Sequence, residues 1–170
     1  MNKAVLLSIK PQYCELIANG KKTIEVRKTR PAIETPFKCY IYCTGKPNLW
    51  KSKHGIIPDC RYNRITDDIP DILLNKKVIG EFICDRIFQY STGNVEGIDI
   101  SDEDIVAGSC LSKQEIGNYE FSAPQKDFCI YRIGVYGWYI SELVIYDRPR
   151  DLESFKITKP PQSWRYVEEI

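Results

Sequence analysis

In the stretch GKKTIEVRK, residues Gly20–Lys28, four cations and one carboxylate surround two β-branched apolar residues. The alternation over Thr23–Lys28 predicts a strand, with Ile24 and Val26 on one face and Thr23, Glu25 and Arg27 on the other. Glu25 and Arg27 then stand roughly 7 Å apart at Cα on one side, so both can address one small ligand. Arg27 offers a planar fork of donors suited to a phosphate or a base edge. Glu25 is an acceptor for an amine such as the exocyclic group of cytosine. Lys22, at the strand entrance, is a mobile point charge suited to phosphate. As a ligand site, this motif would turn the Arg27 guanidinium toward a cleft and not the core. The same residues also suit a plain solvated strand. Cations after a helix C-terminus gain a few tenths to about 1 kcal/mol from its dipole, and an exposed Glu–Arg pair is worth little.

Other residues could join such a site. Ser8 and Lys10 flank Pro11 at the start of a helix, where backbone N–H groups favour anions; as a turn serine and a surface lysine they need no ligand. Trp138 and Tyr139, like Trp164 and Tyr166, could stack on bases or fill a core. Glu81, after Gly80, is either a second carboxylate or a solvent-facing residue. His54 is the only histidine and lies in a lysine-flanked loop. No Ser–His–Asp set, phosphate-binding glycine loop or metal-ligand cluster can be read. Cys39 and Cys43 fall on one expected strand, about 13 Å apart at Cα, too far to share a zinc ion without a sharp bend. With Cys84 they read as small core residues. No metal and no cofactor is expected.

The chain has 170 residues and a formal net charge of +1. That length fits one domain, residues 1–170, with a core that needs no disulfides. The net charge gives no global nucleic-acid signal, so any such partner must meet a local patch. Charge is segregated: Lys21–Arg30 holds five cations and one acid, whereas Glu96–Asp104 holds five acids and no base. The apolar run Ala4–Ile9 is broken by Lys10 and Pro11, which does not suit an export signal. No segment reaches membrane-span length. Seven cysteines, an odd count without a framework, fit reduced thiols and a cytoplasmic location.

These residues need elements to hold them. Val5–Ile9 suits a buried strand. Pro11 suits the first turn of a helix carrying Tyr13, Leu16 and Ile17 on one face, and Gly20 stops it. Phe37–Thr44 and Val78–Phe88 read as strands. Residues 45–77 form a long excursion, with a short helix expected near Ile69–Leu74. Ser101 precedes three acids as an N-cap, and Ser112 with Glu115 forms a capping box. Phe128–Val135 and Trp138–Tyr146 suggest a hairpin turning near Gly137. Asp151–Phe155 suggests a helical turn and Pro160–Val167 an extended piece. More strands than helices point to an α+β fold, a mixed barrel with helices packed outside.

Gly20, Lys22, Glu25 and Arg27 fit a G-x-K-x-x-E-x-R signature, and in this the chain resembles ASCH domains of the PUA-like superfamily. The preceding LLSIKPQYCELIANG resembles the strand and helix that lead into it, notably at Ser8, Lys10, Pro11 and Tyr13. GWYISELVIYDRP and PPQSWRYVEE are similar in style to the longer phage and prophage members. The resemblance implies a PUA-like mixed β-barrel with flanking α-helices and a cleft beside the first helix. It implies binding of RNA, a nucleotide or a nucleoside at Ser8, Lys10, Lys22, Glu25, Arg27, Trp138 and Tyr139. In some members it implies hydrolysis, of RNA or of a modified nucleoside, with Lys22 and Glu25 as the catalytic candidates. Lys22 matches the strand lysine of the amidohydrolase members, but their neighbouring threonine falls here at Glu25.

Overall fold

The computed structural model describes residues 2–52, 55–59, 72–91, 100–119, 121–124 and 130–170. The elements begin with β1 (Lys3–Ile9), α1 (Pro11–Ala18), β2 (Ile24–Arg27), β3 (Phe37–Cys43), β4 (Leu49–Ser52), β5 (Gly55–Pro58) and β6 (Ile72–Leu73). Next come β7 (Lys77–Cys84), β8 (Ile87–Tyr90), α2 (Asp102–Ser109), α3 (Lys113–Tyr119), β9 (Phe121–Pro124) and β10 (Ile130–Ile133). β11 (Val135–Tyr139), β12 (Ser141–Arg150), a 3₁₀ turn at Leu152–Phe155 and β13 (Trp164–Glu168) follow. The class is α+β, rich in strands, as expected. Among the described residues the sheets run open, without closing on themselves. The chain divides into two compact units, residues 1–21, 37–83 and 142–170 in one and 22–36 and 84–141 in the other.

The first unit is organised by a five-stranded sheet in the order β12-β7-β3-β1-β13. β1 runs parallel to β3, with Val5 opposite Cys39 and Ile9 opposite Cys43, and antiparallel to β13. Ala4, Val5, Leu6 and Leu7 have no exposure at all, which is why β1 is an unbroken apolar run and does not alternate. Ala4, Leu6, Tyr40, Tyr42 and Val78 share a core cluster with Leu152, Phe155 and Ile157, so the 3₁₀ turn is anchored by its two apolar residues. Cys39 and Cys43 are fully buried, in keeping with a packing role.

Helix α1 begins and ends as its sequence demands. Lys10, held extended before Pro11, accepts at its carbonyl from the N–H groups of Tyr13 and Cys14. At the other end Gly20 takes φ +69°, Gly20 N–H donates to Ile17, and Lys21 N–H donates to Leu16. That pair of bonds is a Schellman closure, and it needs a residue tolerant of the left-handed region at Gly20. The helix buries Cys14 and Ile17 and packs beside β5, β4 and β3. The excursion differs from expectation where it is described. Ile72 and Leu73 form a strand on β4, where a helix was expected. Residues 69–71 and His54 lie outside the described residues.

The second unit carries the antiparallel sheet β2-β11-β8, the pair β9-β10, and helices α2 and α3. Ser101 caps α2 by accepting from Asp104 N–H, and Ser112 with Glu115 makes the expected reciprocal box at α3. Gly137 is not a turn. It sits mid-strand in β11, between Val26 of β2 and Phe88 of β8. A Cβ there would lie 2.0 Å from the Phe88 ring, so the glycine makes room for an aromatic side chain. Cys84 is buried in this unit, and burial pushes its thiol up to about 12.

Glu81, weighed as a second carboxylate, lies in a network on the five-stranded sheet. Lys38 Nζ is 3.0 Å from Glu81 and 3.3 Å from Glu169, and the Tyr146 hydroxyl donates to Glu81. Burial works to raise the Glu81 carboxyl, but hydrogen bonds from Tyr146 and Lys38 outweigh it and hold the group below its ordinary value. A carboxylate lowered in the fold adds stability that is fully present above its unfolded pKa. That stability is lost as pH falls through the folded value. We therefore expect Glu81→Gln to cost roughly 1–2 kcal/mol at pH 7, the scale of hydrogen bonds to a charged group. Urea denaturation should show the gap to wild type narrowing at pH 3; a gap constant with pH would assign the network no electrostatic role.

Candidate functional site

Strand β2 carries Glu25 and Arg27 of the signature, with Gly20 and Lys22 just before it, and all four of its side chains are buried. Glu25 and Arg27 share the face predicted from alternation, but that face is closed: Glu25 keeps 6% of its surface and Arg27 9%. Lys22, with 2%, is the most enclosed of the three. The guanidinium pictured as facing a cleft is thus a largely buried group. Arg27 Nη2 lies 2.9 Å from Glu25 Oε1, and Lys22 Nζ lies 3.3 Å from Glu25 Oε2. One carboxylate therefore holds two cations, Lys22 from just before the short strand and Arg27 from its end.

Helix α2 fixes the third corner. Lys22 Nζ donates to the carbonyl of Ser109 at 2.7 Å, at the C-terminal end of that helix. Carbonyls there lack intrahelical partners and carry the negative end of the helix dipole, so an ammonium is favoured. Thr23 N–H donates to the carbonyl of Gly108 at 2.8 Å, fastening the start of β2 to the same helix end. Gly108 allows this approach, since a Cβ would come within 2.6 Å of Ile24. Sequence reasoning found the N-cap of α2 but missed Gly108 and Ser109, whose only signal is a small-residue pair at the end of a helical stretch.

Trp138 stands directly across from Glu25 in the β2–β11 register and is fully buried, beside the carboxylate. Tyr139, one residue on, pairs with Ile24 on the opposite face. There its ring meets Phe88 edge-on at 5.3 Å and lies 4.0 Å under the Arg86 guanidinium. Lys22, Glu25, Arg27 and Trp138 are thus brought together, and Tyr139 is turned away from them. Ser8 and Lys10 belong to the first unit. The Ser8 hydroxyl donates to the carbonyl of Pro161 at 2.6 Å, while the Lys10 side chain is exposed at the first turn of α1. Trp164 and Tyr166, also in that unit, pack edge-on at 5.4 Å.

Energetics separate a structural role from a ligand role. At about 3 Å in an effective dielectric near 20, an ion pair gains roughly 5 kcal/mol of Coulomb energy. Removing each ion from water costs several kcal/mol, so a buried ion cluster comes close to breaking even. Stability alone is therefore weak grounds for placing three charges here. Glu25 Oε2 is buried and held by the ion pair with Lys22, without accepting a hydrogen bond.

The solved structures matched include ASCH from Zymomonas mobilis, 19% identical, covering 98% of this chain and 88% of that one with a TM-score of 0.58. Two point variants of the same protein match at 18% and 17% identity, each with a TM-score of 0.56. They cover 99% and 98% of this chain and 92% and 89% of theirs. This chain therefore has the fold of an ASCH domain. No family model and no curated protein matches it. Among the described residues no helix is long and apolar enough to cross a membrane. Nor is any group of three or more His, Cys, Asp or Glu placed to hold a metal ion.

Burial of the triad sets a stability test. Glu25→Ala leaves two cations without the carboxylate between them and should cost about 3–5 kcal/mol. Lys22→Met combined with Glu25→Ala should cost clearly less than the sum of the single changes. Chemical denaturation of the four proteins reads this directly, and additive costs would show that the pair is not coupled.

Proposed function

We propose that residues 1–170 form one ASCH domain of the PUA-like barrel type, cytoplasmic, that binds RNA or a nucleotide through the Gly20, Lys22, Glu25 and Arg27 signature. The observation that carries this reading is the Lys22–Glu25–Arg27 cluster, three charges gathered where burial leaves them near energetic balance. Glu25 Oε2 is held by an ion pair with Lys22 and accepts no hydrogen bond, and a ligand amine reaching it would supply one. The exocyclic amine of cytosine is a donor of the right kind. Arg27, oriented by its bond to Glu25 Oε1, supplies further donors for a base edge or a phosphate. Trp138, fully buried opposite Glu25, backs the carboxylate. Lys22, held by Ser109 and Glu25, serves in this account as fixed positive charge. Lys10, exposed on the first unit, is a separate candidate for phosphate contact.

The test uses Glu25→Gln with cytidine and uridine nucleotides, followed by calorimetry, and melting curves to confirm folding. Wild type should prefer cytidine, whose amine donates, over uridine, whose carbonyl cannot, by about 1–3 kcal/mol. In Glu25→Gln that preference should shrink or vanish. Equal affinity of wild type for both would rule out Glu25 as the reader of an amine. Turnover of an acylated cytidine or of RNA by wild type, with Glu25→Gln binding it but inert, would make the site catalytic and not merely receptive.

A further inference from the structure

Beyond Arg27 the chain runs through a loop before β3, and residues 30–35 of that loop, with Ile87 on β8, line an open cavity of about 500 Å³. That is within the usual range for a small-molecule site. The cavity lies entirely in the second unit. Its place follows from the sheet register. Glu25, Trp138 and Ile87 are successive cross-strand neighbours on β2, β11 and β8, and so share one face. Two strand spacings separate Ile87 from Glu25, about 10 Å. That span reaches from a base, across its sugar, to the adjoining phosphate.

The chemistry of the lining is mixed. Arg30 is exposed, makes no ion pair among the described residues, and lies 5.9 Å over the ring of Tyr136, which is itself the cross-strand neighbour of Arg27. Glu34 is likewise exposed, with no ion-pair partner among the described residues. Pro31, Ala32, Ile33 and Ile87 add apolar wall. An exposed guanidinium suits a phosphate diester. A carboxylate in the same lining repels phosphate but accepts from a hydroxyl, and the ribose 2′-hydroxyl is the group that separates RNA from DNA.

We infer that this cavity is a ribose-phosphate subsite next to the base site. Arg30 takes the phosphate, Glu34 accepts from the 2′-hydroxyl, and the ligand is an oligoribonucleotide, not a free nucleoside. This rests on the base reading at Glu25.

The experiment measures cytidine by calorimetry, and a cytidine tetranucleotide and its DNA counterpart by fluorescence anisotropy over a salt series. It uses wild type, Arg30→Ala, Glu34→Gln and Glu25→Gln, with melting curves for each. Arg30→Ala should weaken RNA binding by about 5- to 20-fold, the scale of one charge-assisted contact. It should lower the salt slope by about one and leave cytidine binding within about twofold. Glu34→Gln should narrow the preference for RNA over DNA. Unchanged RNA affinity in Arg30→Ala, or an equal loss for cytidine and RNA, overturns the subsite, as does wild-type protein binding DNA as well as RNA. If Glu25→Gln alters nothing while Arg30→Ala still weakens RNA, the base reading fails and the ribose-phosphate subsite stands alone. If wild type binds neither cytidine nor RNA, both are wrong.

Discussion

A single carboxylate, Glu25, sets the constraint on which the second unit is built. Its two oxygens face two cations, Arg27 at 2.9 Å and Lys22 at 3.3 Å, in a site where none of the three side chains keeps more than about a tenth of its surface. Charges this enclosed tolerate little misplacement, because the pairing offsets the loss of water only at short range. The elements around them are accordingly fixed by local bonds. The end of α2 receives Lys22 and Thr23, the pairing of β2 with β11 places Trp138 beside Glu25, and Gly108 and Gly137 remove the side chains that would hold these elements apart.

The proposed function draws on this arrangement. A buried ion cluster near energetic balance is poor cement, and in the proposed reading its oriented donors and acceptors serve as a preorganised receptor. In the proposed reading, Glu25 Oε2, ion-paired with Lys22 but accepting no hydrogen bond, is the atom that a ligand would engage. The fold shared with the Zymomonas mobilis ASCH structures supplies a framework, and at identities below one fifth it speaks to architecture alone.

Local rules carried much of the fold in the sequence. Pro11 and Gly20 bracket α1, Ser101 and Ser112 open α2 and α3, and the apolar run of β1 announces a strand buried on both faces. Pairwise geometry was legible for Glu25 and Arg27 because alternation along one strand decides it. Long-range facts were not. Gly137 read as a turn because a glycine between aromatic residues gives no hint that Phe88, 49 positions earlier, will occupy the space of its Cβ. Ile72 and Leu73 read as helical because two residues carry no period, and only β4 makes them a strand. The enclosure of the motif was invisible for the same reason: charged residues on a short strand look solvated until α2 and β11 are in place.

A crystal structure of the protein with a short cytidine-containing RNA tests the central claim most directly. The account predicts the cytosine amine donating to Glu25 Oε2, with Lys22 still on the Ser109 carbonyl and Arg27 still on Oε1. RNA bound elsewhere on the folded protein, with Glu25 Oε2 untouched, would contradict it.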